Sequence, residues 1–230
     1  YAAANPLKTG TRIGLSRSVE QVGPLLAMTV GAWLAAFTGP RDVFLYLSIA
    51  TATSICFAFG LNNDGQQKRI NRQKVRRKIF SRPDSLDLMI FWMGAGIDGL
   101  FTVSISLMWA QYLSTETAIL IGGSILAGRR VSEMVIAPST GFIADNFGTR
   151  LPLLLAIALT TAGFLLIGGG FLLLGSVALV LSRGALGTLF PAAVARIHPE
   201  DKIKALARNQ TWRDLGAAAG PFAAGACLAF

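Results

Sequence analysis

Long apolar stretches separated by short polar connections dominate this chain, and no strand-like alternation competes with them. A helix needs about 20 mainly apolar residues to cross a bilayer. Such stretches fall near 19–38, 42–61, 87–110, 116–139, 151–168, 171–193 and 213–230, so the pattern predicts seven spanning helices. Gly23-Pro24 and Gly220-Pro221 lie inside two of them. Such pairs weaken a helix in water but are tolerated in lipid, where neighbouring helices satisfy the freed carbonyls.

Composition agrees with the bilayer as solvent. Of 230 residues 53% are hydrophobic and 14% charged, with a mean hydropathy of +0.55, whereas about a quarter of a soluble domain is charged. The net charge of +9 would by itself suggest a nucleic-acid partner, but the basic residues are placed as a membrane topology requires. Residues 62–86 carry Lys68, Arg69, Arg72, Lys74, Arg76, Arg77, Lys78 and Arg82, which places this linker on the cytoplasmic side. Threading the spans from there leaves only Arg41 in an outer connection. The expected partners are therefore the lipid bilayer, with anionic headgroups at the basic linker, and not nucleic acid.

Cys56 and Cys227 both fall in apolar spans, where a thiol acts as a small hydrophobe, and His198 stands beside Pro199 in a polar connection. No metal cluster, cofactor motif or nucleophile–base pair is legible, so no enzyme, metal or cofactor is expected.

Five charges fall near the middle of the spans: Asp98, Arg129, Arg130, Glu133 and Arg183. At 1.5 Å per residue they lie within roughly 8 Å of the midplane, where each costs at least ~2.5 kcal/mol on insertion scales unless it faces a protein interior. Arg129 and Glu133, four apart, share a helix face; Arg130 points about 100° away, so only one arginine can hold Glu133 well. Two readings stay open. The charges brace two helices as an ion-pair network, or they form a substrate and proton pathway in which an arginine attracts a polar or anionic solute and Asp98 or Glu133 takes the proton. Trp92 and Phe101, on the Asp98 helix, are either core or cavity wall.

The turn between the fourth and fifth spans reads Gly141-Phe-Ile-Ala-Asp145-Asn-Phe-Gly148-Thr-Arg150. This G-x-x-x-D-x-x-G-x-R pattern resembles the loop signature of the major facilitator superfamily of secondary transporters. The segments Arg12–Phe37 and Arg208–Phe230 also echo each other, each running from basic residues through a Gly-Pro pair to small residues. Parallel repeats of this kind relate the two bundles of that superfamily. By this resemblance the chain covers the fifth to eleventh helices. Gly216-x-x-x-Gly220-Pro221-x-x-Ala224-Gly225 is similar to the G-x-x-x-G-P-x-x-G-G pattern of the family's antiporters, of which the first span keeps Gly14, Gly23 and Pro24. Arg183-x-x-x-Gly187 resembles a further family pattern.

The resemblance implies an all-α, polytopic transmembrane helical bundle of major facilitator type, incomplete, in a bacterial-type inner (plasma) membrane. Residues 1–61 would end the amino-terminal bundle, 62–86 would be the cytoplasmic linker and 87–230 the carboxy-terminal bundle. Its function would be proton-coupled secondary transport of a small solute, with an efflux antiporter, an importer of an anion or other solute, and a non-transporting scaffold as alternatives. Gly141, Asp145, Gly148 and Arg150 would form a gating loop, with Asp145 near Ser16 to Glu20 at the start of the first span. Gly23, Pro24, Gly216, Gly220 and Pro221 would let helices approach closely.

Overall fold

The computed structural model describes residues 9–38, 42, 45, 46, 48, 49, 52 and 83–228. Most of the expected second span and of the basic linker, with Cys56, lies outside them, as does the side chain of Cys227. Two compact units divide the chain, Tyr1–Leu25 with Pro83–Phe230, and Leu26–Arg82. The first unit contains the opening of helix α1 (Thr9–Thr38) and helices α2 (Ser85–Ala110), α3 (Thr115–Phe147), α4 (Arg150–Gly168), α5 (Leu172–Ile197) and α6 (Lys202–Leu228). The described residues contain no strand.

Helices α2, α4 and α5 are long and apolar enough to cross a membrane. Their outward faces carry Leu154, Leu155, Leu165, Leu173 and Leu174, each more than half exposed. An apolar surface of that extent is unfavourable in water and suits lipid, so the protein is an all-helical membrane protein. Helix α3 coincides with the expected fourth span but carries Arg129, Arg130 and Glu133 in its middle.

Helix ends differ from the apolar boundaries in three places. Helix α1 is already helical at Thr9, ten residues before its apolar run, and α6 starts at Lys202, eleven before its own. The stretch expected as a loop from Gly141 is helical as far as Phe147, and the turn proper is only Gly148 and Thr149. Gly148 ends α3 with φ of 85°, a conformation that favours residues without Cβ. Caps supply the other starts. The Asp84 N–H donates to Asp87 Oδ2 at 3.1 Å in a capping box that opens α2, and Ser114 Oγ accepts from the Thr117 N–H to open α3.

Helix α5 is central, packed along α4 on one side and α3 on another, with α6 against α2. The core at this crossing is Ile97, Phe101, Ile105, Leu179, Leu189 and Phe190, all nearly or wholly buried. Helices α2 and α6 approach through glycine. A Cβ on Gly99 would stand 2.7 Å from the Gly220 Cα, one on Gly220 would stand 2.6 Å from the Gly99 Cα, and one on Gly216 would strike the Phe91 carbonyl. Pro221 Cδ lies against the same Gly99 position. Gly23 and Pro24 do not repeat this: both are exposed, and a Cβ on Gly23 would meet nothing within 4 Å among the described residues.

Candidate functional site

The middle of α2 is not α-helical. From Gly94 to Phe101 the backbone winds as a π-helix, a wider turn often found where a helix carries function. The Thr102 hydroxyl donates to the Ile97 carbonyl five residues back, at 3.0 Å. Asp98 stands within this widened section and faces α3 and α5.

Its carboxylate is shared by two arginines from two helices. Arg183 of α5 binds it in a fork, Nε to Oδ1 at 2.8 Å and Nη2 to Oδ2 at 3.1 Å, while Arg129 Nη2 of α3 donates to Oδ1. The fork matches a planar guanidinium to a planar carboxylate and is the stronger kind of ion pair. Gly187, one turn after Arg183, leaves room for it: a Cβ there would come within 3.1 Å of Arg183 Nη1.

The network continues along α3. Arg129 Nε donates to Glu133 Oε1 at 3.0 Å and its Nη1 to Thr102 Oγ1 at 3.3 Å, so each guanidinium nitrogen of Arg129 has a partner. Arg130 comes only within 3.9 Å of Glu133 and donates Nη1 to Gln21 Oε1 of α1 at 3.1 Å. Of the two arginines flanking Glu133, Arg129 therefore holds it. The side chains of Asp98, Arg129, Glu133 and Arg183 are 9–15% exposed, and that of Arg130 is 38% exposed.

The five charges line one cavity of about 370 Å³. Arg17, Glu20 and Gln21 of α1, Thr188 of α5, and Arg213 and Asp214 of α6 complete its polar wall. Sequence reasoning missed these. Arg17 and Arg213 stand at span ends, where a charge is ordinary, and Gln21 and Thr188 carry no charge to mark them. Trp92 is 68% exposed and Phe101 belongs to the core, so neither lines this cavity.

A second cluster lies beyond the spans. Asp145 reaches the first turn of α1, where Oδ1 accepts from the Gly10 N–H at 2.8 Å, and Oδ2 accepts from the Thr11 N–H and the Thr11 hydroxyl at 2.7 Å each. The contact is at Gly10 and Thr11 and not at Ser16 to Glu20, because α1 begins earlier than its apolar run. Gly141 lies at the same crossing, its carbonyl oxygen 2.6 Å from where a Cβ on Gly10 would stand. Arg150 is exposed at the first residue of α4, and the cation facing Asp145 is Arg196 of α5, 3.7 Å away.

Burial alone would push the Asp145 carboxyl up. The hydrogen bonds from Thr11 and Gly10 and the nearby Arg196 outweigh it and hold the group below the ordinary carboxylate range. A carboxylate stabilised in the folded state adds stability that is complete above its unfolded pKa of about 4 and is lost as pH falls through the lower folded value. Asp145→Ala is expected to cost about 1–2 kcal/mol, the range of a lost helix cap. Thermal melts in detergent from neutral to acid pH check this: the gap between the proteins should close as acid protonates Asp145. A gap of the same size at all pH values would remove the carboxylate as its cause.

At the same end of the bundle, Asp87 is buried in the first turn of α2, with Arg208 Nε at 2.7 Å and Asn209 Nδ2 donating at 3.2 Å. His198 Nε2 lies 3.4 Å from Asp84. The Asp84-x-x-Asp87 spacing of a capping box was the available signal for this cluster.

No protein-family model matches this chain, and no curated protein matches it either. Its class accordingly rests on the features above: an all-helical membrane protein with a charged cavity among its helices.

Proposed function

We propose that this chain is a secondary active transporter of major facilitator type, moving a small solute in exchange for, or together with, protons across an inner (plasma) membrane. In this reading α1 corresponds to the family's fifth helix and α6 to its eleventh, and the basic residues of 62–86 face the cytoplasm. The observation that carries it is the cavity of about 370 Å³ bounded by α1, α2, α3, α5 and α6, with Asp98, Arg129, Arg130, Glu133 and Arg183 in its wall. Its volume lies in the range of small-molecule sites. Charged groups at span depth are costly, and a solute pathway is a reason to keep them.

A non-transporting scaffold is the second reading. The observation favouring it is that Asp98 and Glu133 are both already paired with arginine, as an internal brace requires. Reconstitution separates the two. The protein in proteoliposomes with an entrapped pH-sensitive dye is expected to move protons when a transported solute is added, and Asp98→Asn is expected to lose that response while still inserting. Proton leak and solute uptake no greater than in empty vesicles, across a panel of anionic, neutral and cationic solutes, would favour the brace.

A further inference from the structure

Among the described residues the cavity wall holds five arginines, Arg17, Arg129, Arg130, Arg183 and Arg213, against four carboxylates, Glu20, Asp98, Glu133 and Asp214, which leaves one positive charge. The pairing shows where that charge resides. Arg17 takes Glu20 at 3.0 Å and Arg213 takes Asp214 at 2.7 Å; Arg129 and Arg183 divide Asp98, and Arg129 also takes Glu133 at 3.0 Å. Among the described residues Arg130 is left with a neutral amide, Gln21, at 3.1 Å and a carboxylate oxygen no nearer than 3.9 Å. It is also more exposed than Arg129 and Arg183, the two arginines that hold Asp98.

An independent feature lies in the same wall. Thr188 is wholly buried, yet its hydroxyl has no hydrogen-bond partner among the described residues. A buried hydroxyl left unbonded is unfavourable by about 1–3 kcal/mol, and native structures seldom keep one without a use.

From these we infer that the cavity binds a small organic monoanion, its carboxylate on the guanidinium of Arg130 and a second polar group within reach of the Thr188 hydroxyl. One carboxylate neutralises the one excess charge. Arginine's fixed fork of donors suits a planar carboxylate better than a point charge would. Gln21 Oε1, an acceptor, gives up the guanidinium to the incoming anion, while Arg129, whose guanidinium nitrogens are all engaged, stays as support. The inference deepens the transport reading and rests on it for the idea that the ligand is cargo.

Thermal melts and titration calorimetry on the detergent-purified protein provide the test, at constant ionic strength, with lactate, succinate, inorganic phosphate and the neutral lactamide as probes. Lactate is expected to raise the melting temperature saturably and lactamide to leave it unchanged. Arg130→Gln should weaken lactate binding at least about tenfold, the loss of a charge-assisted bond. Arg130→Lys, which keeps the charge without the fork, should fall between, and Thr188→Val should show a smaller loss. These two milder variants carry the test if Arg130→Gln does not fold.

No response to lactate, an equal response to lactamide, or full lactate affinity in a folded Arg130 variant overturns the assignment. A response to phosphate or succinate alone overturns the monocarboxylate in favour of a more highly charged ligand. Lactate binding without flux in proteoliposomes would leave the site standing and remove transport; flux of neutral solutes without lactate binding would do the reverse.

Discussion

Asp98→Ala is expected to destabilise the folded protein by about 3–5 kcal/mol, the cost of removing one partner from a buried ion-pair network. The substitution strands the Arg183 guanidinium and takes one of two carboxylates from Arg129, because both arginines meet on Asp98. Asp98 also stands in the π-helical section of α2, so its loss frees the element through which α2 holds α3 and α5. Denaturant titration in mixed micelles measures the effect. The double variant Asp98→Ala with Arg183→Met should recover part of the loss, since an apolar replacement leaves no unpaired charge at that position, although Arg129 then keeps only Glu133 and Thr102. Stability of the single variant within about 1 kcal/mol of the parent, the range of an exposed pair, would show that the network is solvated and contributes little.

Gly220→Leu should be nearly as damaging, at about 3 kcal/mol or more, because overpacking is worst where the obstructing atoms are backbone. The Gly220 Cα lies against Gly99 with no side chain between them that could move aside. Even Gly220→Ala should cost about 1–3 kcal/mol. Gly123→Ala in α3 provides the opposite case: nothing among the described residues stands within 4 Å of its missing Cβ, so alanine should be neutral or stabilising by about 0.5–1 kcal/mol through helix propensity. If the two alanine variants melted alike, close helix approach would not be the reason for glycine at 220.

The helical class was legible because lipid-length apolar runs have few other solutions. Where those runs ended was a poorer guide to where the helices ended. Polar residues that leave the membrane can continue a helix: Thr9 to Ser18 in α1, Gly141 to Phe147 in α3 and Lys202 to Trp212 in α6 are all helical, and apolarity gives no sign of it. Local chemistry sets such ends where it is visible, through the positive φ of Gly148 after α3 and the Asp84 and Ser114 caps before α2 and α3.

The charged residues divide in the same way. Arg129 and Glu133 are four apart on one helix, so their pairing follows from the chain's own periodicity. By contrast Asp98 is separated by 31 residues from Arg129 and by 85 from Arg183, and Asp145 by 135 from Gly10. Only the crossings of α2 with α3 and α5, and of α3 with α1, bring these groups within hydrogen-bonding distance. Composition and spacing thus determined that the chain is helical, apolar enough for a membrane, and charged at a depth where charge must be buried. Which arginine holds which acid, why Gly216 and Gly220 cannot carry side chains while Gly23 meets nothing among the described residues, and which guanidinium is left with only an amide close by were decided by helix packing. Coulomb energy and steric overlap depend on distances between helices, and no one-dimensional pattern contains those distances.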